Sequence, residues 1–167
     1  EHSPPDNQPP VEWILYTREP IKTRADVEAI VDAYRARWLI EEYFKAIKTG
    51  CQYEKRQLES YAALSIALAL FVPIAVKLLE LRYLARTQPD QPATRLFSRR
   101  QLEILRVLRP EQAYKGIPSV TEVLHAVAGL GGHLKNNGYP GWLVLRRGME
   151  KLLQAEVVWA AARGEKM

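Results

Sequence analysis

The chain has 167 residues, 47% of them apolar and 26% charged, and a formal net charge of +5. That length allows one domain, or one and a half, with enough chain for a real core, and the composition excludes a disordered or fibrous protein. The charge mildly favours a polyanionic partner, and the single cysteine, Cys51, excludes a disulfide framework and a cysteine-based zinc site.

Residues 1–10 contain four prolines together with Asp6 and Asn7, the composition of a linker. The sequence opens on Glu1 with no start Met and no signal-peptide pattern, so it reads as part of a longer protein. Val11 to Thr17 (VEWILYT) is apolar, aromatic and β-branched, which predicts a strand. A lone strand cannot satisfy its own backbone, so its sheet partners are expected from outside this sequence.

Thr23 starts a long predicted helix, with Asp26 three positions on as in a capping box. Val27, Ile30, Val31, Tyr34 and Trp38 keep helical spacing, with Trp38 read as a core residue. Thr49-Gly50 ends this helix, the glycine being free to take a left-handed conformation. A second helix is expected from about Glu59 to Arg86, apolar nearly all round in its first half and therefore buried on all sides, with Pro73 inside it. Its uncharged run, Tyr61 to Val76, is shorter than the roughly 20 residues that span a bilayer, which favours a core helix over a membrane span.

Gln88 to Thr94 is a loop, and Ser98 caps a short helix to about Leu108. Ser119 and Glu122 form a second capping box for a helix to about Ala128. A turn at Gly129-Leu-Gly131-Gly132 follows, without the spacing of a phosphate-cradling loop. The last helix runs from about Trp142 to Arg163. It places Trp142, Leu145, Met149, Leu152 and Trp159 on one stripe, interrupted by Glu156, with Gly148 beside it to admit a second backbone. The stripe could pack within the chain or against a second subunit. His2, His125 and His133 share no metal-ligand spacing.

The chemistry concentrates between Tyr34 and Lys48. At 100° per residue with Tyr34 at zero, Glu41 falls at about −20°, Lys48 at about −40°, Arg37 at about −60°, Lys45 near +20° and Trp38 near +40°. One helix face, apolar at Val27, Ile30 and Val31, thus turns polar and charged in its last turns. The i, i+4 pairs Arg37–Glu41 and Glu41–Lys45 also fit a plain solvated ladder. The mixing of Tyr and Trp with the charges, and the continuity with a core face, count against that plain ladder without excluding it.

The spacing Tyr34-x2-Arg37-x3-Glu41-x6-Lys48, set in an RW-x-IEE-x-x-K-x-x-KTG context, resembles the Y-x2-R-x3-E-x6-K signature of bacterial insertion-sequence transposases of the cut-and-paste DDE class. The WILYT segment followed by Glu19-Pro20 is similar to that family too. The resemblance implies an RNase H-like catalytic domain in which Glu41 is the last of three acidic ligands of a two-metal site for Mg²⁺ or Mn²⁺. Such ions, about 3.5–4 Å apart, activate a nucleophile and stabilise the leaving oxygen. Asp6, Asp26, Asp32 and Asp90 do not fit the other two positions, so the family's two aspartates are expected before Glu1.

Tyr34, Arg37 and Lys48 match the signature positions that contact DNA phosphates, and Lys45 extends that surface. Phenol, guanidinium and ammonium groups suit phosphate oxygens. Trp13 matches an aromatic that meets a flipped base, with a core tryptophan as the alternative. Lys55 and Arg56 are further DNA-contact candidates, whereas Arg99-Arg100 and Arg146-Arg147 read as solvated charges.

The expected architecture is mostly α (α+β): one strand and the Glu-bearing helix of a partial RNase H-like edge, then a C-terminal helical region. The expected division is a linker at 1–10, the C-terminal part of the catalytic domain at 11–87 and a helical dimerisation or DNA-contact region at 88–167. The expected partners are double-stranded DNA and a second copy in a synaptic dimer, in a bacterial cytoplasm and not in a membrane. This chain alone is expected to cleave nothing. The alternatives are a non-catalytic helical DNA-binding or dimerisation module, and a helical scaffold that binds protein only.

Overall fold

Four helices begin at a side-chain oxygen that accepts from their first turn. Thr23 caps α1 (Arg24–Ala36), Ser60 caps α3 (Tyr61–Thr87), Ser98 caps α4 (Arg99–Leu108) and Ser119 caps α5 (Val120–Leu130). Between α1 and α3 lie α2 (Trp38–Lys45) and a π turn at Ala46–Gly50; α6 (Trp142–Ala162) ends the order. The capping boxes at Thr23/Asp26 and Ser119/Glu122 are both formed, as the sequence predicts. A third joins Ser98 to Gln101. The structure is a computed structural model describing residues 9–10, 12–55, 57–112, 116–134 and 136–164. Val11, Arg56 and residues 1–8 of the expected linker, with His2 and Asp6, lie outside the described residues. The chain divides into two units, Glu1–Ile40 and Glu41–Met167.

In the first unit, the expected strand is absent among the described residues: 12–17 form no ladder. Trp13 is 60% exposed and Tyr16 96%. The physical reason is the one that makes a lone strand untenable: a strand exists only through hydrogen bonds to a neighbour, and no other described residue supplies them. The described residues are mostly helical and include no strand. In α1, Asp26 accepts from the backbone N–H groups of Lys22 at 2.9 Å and Thr23 at 2.8 Å. These bonds hold its carboxyl below the ordinary carboxylate value.

The long helix expected from Thr23 to Thr49 is three pieces. The first ends at Ala36 and the second begins at Trp38, which is exposed and not a core residue. The third is the π turn, closed by Cys51 N–H donating to Ala46 O at 2.8 Å. Gly50 is not left-handed; that conformation falls two residues later, on Gln52, with φ 51°.

The second unit has one apolar core. It collects Leu78, Leu81 and Leu84 of α3, Ile104 and Leu105 of α4, Val123, Leu124 and Val127 of α5, Leu145, Met149 and Leu152 of α6, and Ala46, Ile47 and Cys51 at the π turn. Two glycines set the α5–α6 crossing. A Cβ on Gly148 would lie 1.7 Å from Val127 O, and one on Gly131 would lie 1.8 Å from Val144 O, so only glycine permits that approach. Most of the α6 stripe is thus consumed within the chain, Trp159 staying half-buried. Trp142, Leu145, Met149 and Leu152 are buried in its own core and are not a face for a second subunit.

The expectation that α3 is buried all round also fails. Its second half buries Ala75, Leu78, Leu81 and Leu84 on one side, while Tyr61, Ile66 and Leu70 are exposed. A 27-residue helix is about 40 Å long at 1.5 Å per residue, and α4 and α5 are under half that length, so its first half outruns them. By length and composition alone, α3 could also cross a membrane.

Where Gln101 and Glu156 meet, the core is polar. Gln101 Oε1 accepts from Lys77 Nζ at 3.3 Å, and its Nε2 donates to Glu156 Oε2 at 2.8 Å. Lys77 also lies 4.7 Å from the Phe97 ring centroid. Burial pushes the Lys77 ammonium below its ordinary value, and Glu156 and Glu80 oppose the shift. This relay explains why a glutamate interrupts the α6 stripe: it closes a link between α3, α4 and α6.

Candidate nucleic-acid interface and active-site helix

The predicted site residues fall into two groups, one in each unit. In the first, Trp13 stands edge-on to Tyr34 with ring centroids 5.6 Å apart at 64°, and the Arg37 guanidinium lies 5.5 Å from the Tyr34 centroid. Trp13 is therefore neither a strand residue nor a core tryptophan: it is an exposed ring in contact with the phenol that the spacing singled out. Edge-to-face ring contact and a cation near a ring face are both favourable geometries.

In the second unit, Glu41 sits half-buried on α2. It lines an open cavity of about 360 Å³ with Phe44, Lys45, Lys48 and Thr49. An acid and two ammonium groups thus share one concavity, with an aromatic ring beside them. Lys45 Nζ donates to Glu42 Oε1 at 3.0 Å. Lys48 pairs with Glu54 at 2.8 Å, and both side chains are more than half exposed. Exposed pairs of this kind are worth about 0–1 kcal/mol and exchange readily for another anion.

The π turn alters the angular reading. From Ala46 the backbone bonds i to i+5, so the step of 100° per residue that placed Lys48 beneath Glu41 does not hold there. Lys48 still reaches the cavity that Glu41 lines. Lys55 is exposed at the end of a 3-10 turn, Tyr53–Lys55.

A metal site can be tested against these residues. Among the described residues, no three His, Cys, Asp or Glu side chains come together as a group that could hold an ion. Glu41 can offer one carboxylate to a hard cation, which takes several oxygen ligands. The described residues therefore fit one ligand of a divalent centre and not the whole of it.

Four aromatic and cationic residues outside the predicted set come together in the second unit. The Arg82 guanidinium lies 4.3 Å from the Trp142 ring centroid and 5.2 Å from that of Tyr139, and Arg86 lies 5.0 Å from Tyr139. Burial lowers the pKa of Arg82, the charge of Arg86 adds to that, and Tyr139 and Glu42 oppose it. The sequence carries a signal for Arg82 and Arg86, which are one helical turn apart, but none that joins them to a loop tyrosine more than fifty residues on.

Compared with known proteins, residues 7–72 match the family described as Transposase DDE domain. The matched stretch runs from before Trp13, through Tyr34, Arg37, Glu41 and Lys48, into the first half of α3.

Proposed function

We propose, on the footing that residues 7–72 make this chain part of an insertion-sequence DDE transposase, that Glu41 is the last catalytic carboxylate for cleaving transposon ends and joining them to a target. The observation that carries this reading is the shared cavity of Glu41, Lys45 and Lys48, an acid flanked by cations on one short helix and the turn after it. Such a surface suits a phosphodiester: cations bind the backbone oxygens, and the carboxylate lies beside them.

Tyr34 and Arg37 in the first unit are assigned as phosphate contacts, and Lys45, Lys48 and Lys55 in the second, with Arg56 assigned from the sequence alone. Trp13, exposed and edge-on to Tyr34, is assigned to an unpaired base. Glu41 contributes one ligand to Mg²⁺ or Mn²⁺, whose other ligands are not among the described residues. The chain alone should therefore cleave no DNA and bind it weakly, in a salt-sensitive way. Residues 11–87 are assigned to the catalytic domain and 88–167 to a helical region beyond it. The partner is double-stranded DNA, two copies act together on paired ends, and the setting is the bacterial cytoplasm. With Trp142, Leu145, Met149 and Leu152 buried, pairing of copies must use other residues.

The test is Glu41→Gln in a complete transposase carrying this sequence. Cleavage of end-bearing DNA should be lost while binding to the same DNA persists. Cleavage at the unaltered rate would remove Glu41 from the chemistry.

A further inference from the structure

Resting on that nucleic-acid reading, we propose that Arg86, braced by Arg82 and Tyr139, is a phosphate-contact point at the C-terminal end of α3. The case is a chain of contacts within the second unit. Gly50, two residues after Lys48, lies against the start of α6: a Cβ built there would sit 3.5 Å from Trp142 Cβ and 3.6 Å from Trp142 O. Arg82 covers the Trp142 ring, and Arg82 and Arg86 both lie against Tyr139. Gly50 of the π turn and Arg82 of α3 thus both border Trp142, and Arg86 shares the Tyr139 ring with Arg82.

The two arginines are not equivalent. Arg82 is half-buried, its Nη1 donates to Pro140 O at 3.1 Å, and its backbone oxygen accepts from the Tyr139 hydroxyl at 3.4 Å. Its role is to fix the ring. Arg86 is exposed and forms no ion pair among the described residues. It also carries its charge beside a second guanidinium, an arrangement that an incoming anion relieves. A guanidinium seated on an aromatic ring loses little freedom when its N–H fork takes a phosphate.

The experiment titrates this chain with a fluorescein-labelled duplex of about 25 base pairs, by anisotropy, at salt from about 25 to about 150 mM. Arg86→Gln should weaken binding several-fold and lower the slope of log affinity against log salt by about 0.9, the loss of one phosphate contact. Arg86→Lys, which keeps the charge, should keep the slope. Arg99→Gln, which removes an exposed charge from the first turn of α4, should leave the slope unchanged. An unaltered slope in Arg86→Gln, an equal fall in Arg99→Gln, or no binding by the unaltered chain at the lowest salt each overturns the proposal. None of these outcomes bears on Glu41, whose role is read from cleavage.

Discussion

The α5–α6 pair and the first half of α3 are both built from apolar residues, yet one is closed and the other open. In the pair, Gly131 and Gly148 let two backbones touch, and Val123, Leu124, Val127, Leu145, Met149 and Leu152 are buried between them and their neighbours. In α3, Leu68 and Leu70 stand in solvent one turn or two before Ala75 and Leu78 disappear into the core. Apolar composition sets a demand for burial, and a partner of matching length meets it. The family match ends at residue 72, inside α3, so the open half lies within the matched stretch and the self-packed bundle lies beyond it.

Substitutions put that contrast to the test. The largest effect is expected at Gly148. Gly148→Ala places a methyl on the Val127 carbonyl and should cost about 3 kcal/mol or more in urea unfolding, the upper range for overpacking, because backbone and not a flexible side chain must move. A cost below about 1 kcal/mol would mean that the two helices do not cross as described.

Next comes a comparison within one helix. Leu81→Ala, in the core, should cost about 2–5 kcal/mol. Leu70→Ala, at a site 64% exposed, should stay within about 0.5 kcal/mol. Equal costs would erase the distinction between the halves of α3. A smaller effect is expected for Gln101→Ala, which leaves Lys77 and Glu156 without the amide between them and should cost about 1–3 kcal/mol. Ser119→Ala should cost about 1 kcal/mol through its cap.

The smallest effect is a pH dependence in the first unit. Asp26 has its carboxyl depressed in the folded chain below the ordinary 3.8, because two backbone N–H groups donate to the charged form. Its contribution is therefore present above pH 3.8 and is lost as pH falls through the depressed value. Carbon-detected titration of the Asp26 carboxyl should give a midpoint below 3.8, and a midpoint at or above it would mean the box is open in solution.

Local signals were legible in the sequence and non-local ones were not. Thr23, Ser98 and Ser119 announce their helices because a cap needs only a side chain and the next three residues. Residues 12–17 could not be read the same way, because a strand depends on hydrogen-bond partners that their own composition does not supply. The π turn at Ala46–Gly50 departs from a period of 100° per residue, yet Lys48 still lines the cavity of Glu41 and Lys45. The α6 stripe showed a buried face without showing what buries it. Of the candidate site, Glu41, Lys45 and Lys48 do share a cavity, and Tyr34 and Arg37 do share a contact, to which Trp13 adds itself from a segment read as a strand. The Arg82–Tyr139–Trp142 cluster was invisible because folding, not spacing, assembles it.

The most direct test of the account uses the two adjacent acids. Glu41 lines the cavity with Lys45 and Lys48, whereas Glu42 accepts from Lys45. In one cleavage assay of a transposase carrying this sequence, the proposed role predicts that Glu41→Gln lowers the rate by at least about 100-fold, and that Glu42→Gln retains most of it. Equal losses in the two variants, or full activity in Glu41→Gln, would contradict the assignment of Glu41 as the catalytic acid.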